Sequence, residues 1–216
     1  SVGRLRLLGG TLTREVERPD PSLVQFTPTQ FVPDTAGDVA RFRPQHVVRV
    51  NALAGLRAIR FVRVQGFDAL TGAQDIRVGA QLGIVAGHSI PFASARDHDH
   101  YLATNLYLGT GNEKWFLGAQ GITEARYERA DGRWSNVVAS GRAAWYFRPA
   151  VRQTSVLQVE WASARRMEVP VQLTLGDRVG GLLAHRRSED AGTTRLVLRA
   201  EQRLVIPTRL NVADLG

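Results

Sequence analysis

Asp97-His98-Asp99-His100 is the densest run of metal-ligating side chains in the chain. Two imidazoles and two carboxylates suit a divalent cation. In an extended segment, however, His98 and His100 project to one side and Asp97 and Asp99 to the other, so a single site needs a turn. With no third ligand cluster nearby in sequence, a solvated loop is the expectation, and no metal site is assigned. Gly109-Thr110-Gly111-Asn112-Glu113-Lys114 has the glycines and the lysine of a phosphate loop. It lacks the spacing of a Walker motif and the helix that must follow one, and reads as a hairpin turn. His46, His88 and His185 are scattered, and no Ser-His-Asp spacing accompanies them. No catalytic residue and no cofactor is expected, and the chain does not read as an enzyme.

The remaining chemistry is guanidinium. Lys and Arg total 28 against 20 Asp and Glu, a formal +8 over 216 residues, and Lys114 is the only lysine. A nucleic-acid partner requires these cations on one patch with aromatic residues interleaved for stacking. Arg4, Arg6, Arg14, Arg49, Arg57, Arg77, Arg126, Arg142, Arg152, Arg195, Arg199 and Arg203 are instead spread over nearly every segment. Nucleic acid is not an expected partner. By period, all of these arginines fall on polar faces, with Glu124, Glu160 and Glu201 available as ion-pair partners.

The elements that hold them alternate with a period of two. Ile76, Val78, Ala80, Leu82, Ile84 and Ala86 share one face of 75–87, and Asp75, Arg77, Gly79, Gln81 and Gly83 the other. In 193–206, Leu196, Leu198, Ala200, Leu204 and Ile206 oppose Arg195, Arg199, Glu201 and Arg203, and only Val197 is apolar on the charged side. Leu157, Val159 and Trp161 oppose Arg152, Thr154, Gln158 and Glu160 in the same way. A helix scatters such charges around its circumference, whereas a pleated strand segregates them. Weaker alternation marks 2–16, 47–64, 101–109, 115–128 and 136–147. Residues 51–59 have helical propensity and could form a helix in isolation. Long connectors run roughly 17–45, 88–100 and 166–192. Short ones are Gly111-Asn112, Arg148-Pro149-Ala150 and Pro207-Thr208-Arg209, with one tight turn, Ala130-Asp131-Gly132, on the long side. The fold class is therefore all-β: about eight antiparallel up-and-down strands, 75–87 beside 101–109 and 115–128 beside 134–147, in a single unit spanning 1–216.

Alternation alone does not say which face meets water. A soluble barrel or sandwich buries its apolar face, and a transmembrane barrel turns it to lipid. Strands longer than the usual ~5–6 residues, an apolar face of Leu, Val, Ala and Gly, and aromatic residues near strand ends favour lipid. Trp115 and Tyr127 bracket one strand, and Trp145 and Phe147 close another. The expectation is part of a transmembrane β-barrel, with Leu82, Ile84, Leu157, Val159, Leu198 and Leu204 facing out and Arg77, Gln158, Glu160, Arg199 and Glu201 facing in. The chain opens at Ser1 without methionine or an apolar signal core and closes on a strand-like Asn211–Gly216, and it is read as an internal segment of something longer.

Residues 175–192, with Gly180-Gly181-Leu182-Leu183-Ala184-His185-Arg186-Arg187, are followed by a charged alternating strand containing Glu201-Gln202-Arg203. This resembles the long loop and next strand of the BamA/TamA and two-partner-secretion superfamily of bacterial outer-membrane β-barrels, the bacterial surface antigen type. There a Gly-Gly…Leu-Arg-Gly-Tyr/Phe motif precedes a strand ending in Glu-x-Arg. The likeness covers 171–216, including Asp214-Leu215-Gly216 as the start of a further strand; Gly66-Phe67-Asp68-Ala69-Leu70 is a weaker echo of a turn in related barrels. The motif departs at its centre, with Leu183 at the arginine, Ala184 at the glycine and His185 at the aromatic. The resemblance implies a bacterial outer-membrane location, a lipid bilayer and polypeptide substrates as partners, and insertion or secretion of β-rich polypeptides. It also implies an inward-folding loop 166–192, with Arg186 or Arg187 meeting Glu160 or Glu201 beside Arg199 and Arg203. A passive channel with an arginine-lined lumen, and a soluble β-barrel or sandwich binding module, stay open as alternatives.

Overall fold

A computed structural model describes residues 3–17, 24–26, 31–33, 45–69, 72–94, 99–168, 171, 173–175 and 191–205. The strands are β1 (Gly3–Glu17), β2 (Val24–Phe26), β3 (Phe31–Pro33), β4 (Gln45–Gln65), β5 (Ala73–Ser89) and β6 (Asp99–Gly111). They continue with β7 (Trp115–Glu128), β8 (Arg133–Ala150), β9 (Gln153–Arg165), β10 (Leu173–Thr174), β11 (Ala191–Gly192) and β12 (Thr194–Leu204). The only other regular element among the described residues is a 3₁₀ turn, Pro91–Ala93. No helix among them is long and apolar enough to cross a membrane.

Eight long strands form one sheet in the order β1-β4-β5-β6-β7-β8-β9-β12, every neighbouring pair antiparallel. The all-β, up-and-down reading holds, and so do the expected pairings of 75–87 with 101–109 and 115–128 with 134–147. Residues 51–59 lie inside β4, where pairing on both sides overrides their helical propensity. The connectors from 17 to 45, 89 to 99 and 165 to 194 share one end of the sheet with the tight turn at 129–132. Those at 66–72, 112–114 and 151–152 share the other. One short connector differs from expectation: Arg148-Pro149-Ala150 closes β8, and the turn is Val151-Arg152. Asn112 organises the turn after β6, its Oδ1 accepting from the amides of Lys114 and Trp115, so the glycine-rich stretch is a hairpin.

The sheet is curled. Neighbouring strands lie ~4.8 Å apart, so four spacings would set β1 and β7 about 19 Å apart in a flat sheet. Yet Arg126 Nη2 on β7 donates to Glu15 Oε1 on β1 at 2.5 Å. On the same face Arg49 of β4 meets Asp99 of β6, and the turn after β4 reaches β8, β9 and β12. This face is concave. β1 and β12 do not pair with each other, so the curl is open at that seam.

The register corrects two expectations. Ile76 and Val78 do not share a face with Ala80, Leu82, Ile84 and Ala86. They are 6% and 9% exposed within a core at one end of the concave side, while Leu82 and Ile84 lie on the convex side. The reversal falls at Gly79, whose φ of +131° breaks the alternation. Arg4, Arg6 and Arg14 do not join the polar concave face either. Pairing opposite Ala58, Leu56 and Val48 sets them on the convex side, and Leu5 and Leu7 take the concave positions opposite Arg57 and Gly55.

Candidate functional site on the concave face

Three layers line the concave face. The first lies at the end with the long connectors and is ionic. Arg49, 3% exposed, holds Asp99 through Nη2 at 2.6 Å and Nε at 3.2 Å, and Glu15 through Nη1 at 2.7 Å. Glu15 also receives Arg126, whose other amino group donates to Gln45 Oε1. Gln45 Nε2 reaches Glu168 Oε2 at 2.9 Å, and the Glu168 amide donates to Asn136 Oδ1 at 2.7 Å. Two buried guanidiniums against Glu15 and Asp99 leave no excess charge at the centre of the cluster, so it joins strands and offers nothing to an ionic ligand. Asp99 thus belongs to this cluster, with Ser89 Oγ bonding its amide at 2.8 Å. His100 is on the opposite face, its ring 4.8 Å from that of His88. The neighbours share no metal site, and Asp97 and His98 lie outside the described residues. Among the described residues no group of three metal-ligating side chains occurs.

The middle layer is a row in continuous register: Arg57, Gln81, Tyr107, Gln120, Arg142 and Glu160 on β4 to β9. Each is the direct cross-strand neighbour of the next, so the period-two pattern of six separate strands converges on one belt. Arg77 crosses to it, its guanidinium 4.3 Å from the centre of the Tyr107 ring, while the Tyr107 hydroxyl donates to the Arg77 carbonyl at 2.7 Å. Glu160 accepts from Arg199 Nη1 at 2.7 Å and from Gln158 Nε2 at 2.9 Å. A cavity of about 470 Å³ opens on this belt.

The third layer closes the end with the short turns. Phe67, fully buried, packs with Val64, Ile76, Val78, Ala144, Tyr146 and Val156. Tyr146 Oη donates to Asp68 Oδ1 at 2.7 Å, and Thr154 Oγ1 to the Gly66 carbonyl at 2.6 Å. Arg203 Nη1 donates to the Phe67 carbonyl at 2.7 Å, and its Nη2 to Glu201 Oε2 at 2.7 Å. Glu201-Gln202-Arg203 therefore fastens the 66–69 turn across the concave face. Phe67, Asp68, Tyr146 and Thr154 were not singled out as site residues from the sequence. The run Gly66-Phe67-Asp68 was the one local signal, and nothing in it names partners on β8, β9 and β12.

Of the residues expected to act together, Glu160, Arg199, Glu201 and Arg203 are all on the concave face, as two ion pairs of neighbours. Among the described residues Glu124 pairs with no arginine; it lies beside the Tyr101 hydroxyl. Gly180, Gly181, Leu183, Ala184, His185, Arg186 and Arg187 lie outside the described residues. The hairpin β10–β11 carries the two ends of that segment, and Arg195 Nη1 holds the Thr174 carbonyl at 3.0 Å.

The convex face is the chemical opposite. Alternate positions facing it carry no charge from Val48 to Ala58 on β4, Ala80 to Ala86 on β5, Leu102 to Leu108 on β6 and Leu117 to Thr123 on β7. The same is true from Ala139 to Trp145 on β8, Leu157 to Ser163 on β9 and Leu196 to Ala200 on β12. Leu106, Leu108, Leu157, Leu196 and Leu198 are 42–65% exposed there. At one end His88, His100, Tyr127 and Trp134 form a register row of rings, with centroids 4.8, 6.3 and 5.4 Å apart in succession. At the other, Trp115 pairs with Phe147, and Trp145 stacks on Phe147 at 5.7 Å. All four tryptophans, Trp115, Trp134, Trp145 and Trp161, face this side. No family model matches the chain, and neither a curated protein nor a solved structure does.

Proposed function

We propose that the chain is part of the wall of a bacterial outer-membrane β-barrel of the assembly and translocation superfamily, inserting or secreting β-rich polypeptides. The observation that carries the membrane part is the uncharged convex face between two aromatic rows. In water, such an area of exposed Leu, Val and Trp favours association; in lipid it is the surface a spanning strand requires. From Trp115 to Tyr127 along β7 is about 40 Å of strand at ~3.3 Å per residue. Tilted by the ~35–45° of membrane strands, that gives about 30 Å, the thickness of a hydrocarbon core. Arg4 and Arg6 are charged exceptions on the convex side, and both sit on β1, whose outer edge is unpaired.

The assembly part rests on the likeness of 171–216 to the superfamily's loop and strand. Long connectors at one end and short turns at the other fit an outer-membrane topology. The belt of Arg57 and Arg142 favours a second reading, a passive channel with a cationic constriction. Intrinsic fluorescence tests the membrane part: with Trp115, Trp134, Trp145 and Trp161 all on the convex face, brominated lipid must quench most of their emission in bilayers, read in the full-length protein with any tryptophan outside residues 1–216 replaced by phenylalanine. Quenching confined to a water-soluble agent would defeat it. Depletion in the source bacterium separates the two finer readings. An assembly role lowers the amounts of other outer-membrane or secreted β-proteins; a passive channel leaves them unchanged and alters small-solute permeability.

A further inference from the structure

The concave face carries an apolar cavity directly against the arginine belt. Leu5, Leu7, Leu53, Val85, Ile122 and Val138 line a space of about 490 Å³ on the side toward the ionic cluster. It is contiguous with the belt cavity of about 470 Å³, since Gln81, Asn105 and Ile122 border both. Both volumes are in the range of small-molecule sites. Apolar side chains on the concave side of the sheet are not explained by lipid contact, which the convex side serves, nor by the core around Phe67, which lies beyond the belt.

The belt has unused capacity. Glu160 is taken by Arg199 and Gln158, so Arg142, its cross-strand neighbour, has no carboxylate among the described residues. The side chains of Arg57, Gln81, Asn105 and Gln120 make no hydrogen bond or ion pair with another described residue. Among the described residues, then, Arg57 on the apolar recess and Arg142 on the adjoining belt cavity have no carboxylate, and Gln81, Asn105 and Gln120 have no hydrogen-bond partner. Glu124, at the far side of that recess, is turned to the Tyr101 hydroxyl. A neutral apolar molecule leaves the guanidiniums unanswered, and a small inorganic anion leaves the leucines wet. A single molecule satisfies both when it has an anionic head and an apolar tail.

We propose that this composite cavity binds an amphipathic anion, a carboxylate on a single alkyl chain, with the head on Arg57 and Arg142 and the tail over Leu53, Val85 and Ile122. The proposal goes beyond the membrane reading and needs only the concave face. The test is calorimetric titration of the full-length protein, in lipid nanodiscs with empty nanodiscs as baseline, using octanoate, octanol and acetate as probes. Saturable octanoate binding at least about tenfold tighter than that of octanol or acetate is expected. Arg57→Gln with Arg142→Gln should weaken octanoate about tenfold or more, as should Ile122→Asn, while Arg57→Lys retains it. Circular dichroism identifies any variant that fails to fold, and the single variant Arg57→Met, expected to weaken octanoate likewise, then carries the head-group test. Equal affinity for octanol, equal affinity for acetate, or folded variants that bind octanoate like the parent would each overturn the inference. Any of these outcomes leaves the tryptophan-quenching result, and so the membrane reading, unaffected.

Discussion

Arg126 Nη2 lies 2.5 Å from Glu15 Oε1 although their strands, β7 and β1, have three others between them in the sheet. That contact closes one end of the curl, because Glu15 also takes Arg49 at 2.7 Å and Arg49 takes Asp99 at 2.6 Å. Four charges from β1, β4, β6 and β7 thereby fix the curvature that brings the polar belt and the apolar recess face to face.

Breaking the cluster on one side should cost more than removing a pair. Arg49→Leu leaves Asp99 buried without its cation and should destabilise by about 3–5 kcal/mol. Arg49→Leu combined with Asp99→Leu should recover much of that loss, because no charge is then stranded. Urea unfolding of the two variants beside the parent measures the difference.

Gly79 should tolerate no side chain. At φ +131° a Cβ is strained and would run into the Ala58 carbonyl oxygen, so Gly79→Ala should destabilise by at least about 1–3 kcal/mol. Gly121→Ala is the control, since a Cβ there meets only the Ser140 carbonyl oxygen at 3.6 Å. The same unfolding experiment should show little change for it.

Sequence period made the strands, their neighbours and most facing directions legible, because pleating converts alternation directly into two faces. Gly79 shows where that stops: one residue at positive φ sends Ile76 and Val78 to the opposite side from Ala80, and a period count runs straight through it. Arg4 and Arg6 show a second limit. Strand β1 alternates as the others do, but which of its faces joins the concave side is set by pairing with β4. The concave layers were illegible for a different reason. Tyr146 with Asp68, Arg203 with the Phe67 carbonyl and Arg126 with Glu15 join residues far apart in sequence, and only the curl brings them together.

The 66–69 turn should behave as a packed plug. Phe67→Ala, at a fully buried position, should cost about 3–5 kcal/mol. Tyr146→Phe, which removes only the bond to a mostly exposed Asp68, should cost about 0.5–1.5 kcal/mol. Limited proteolysis at 66–72 should accelerate far more in the first variant than in the second.

A charge on the convex face should be penalised by its depth in the bilayer. Leu106 pairs with Gly121, which lies midway between Trp115 and Tyr127 on β7. Leu106→Arg should therefore cost about 2–4 kcal/mol for folding into lipid. Gln120→Arg, one position along from Gly121 and on the concave side, should cost little. Folding titrations into liposomes compare them.

The most direct measurement of the central claim is a nitroxide scan of β6. Residues 1–216 contain no cysteine, so once any cysteine elsewhere in the full-length protein is replaced by serine a label can be placed singly at each position from Leu102 to Leu108. With the protein in bilayers, labels at 102, 104, 106 and 108 should be relaxed chiefly by oxygen, which concentrates in lipid. Labels at 103, 105 and 107 should be relaxed chiefly by a water-soluble nickel complex. The reverse phase, or equal access of the nickel complex at all seven positions, would contradict a lipid-facing convex side and a wet concave one.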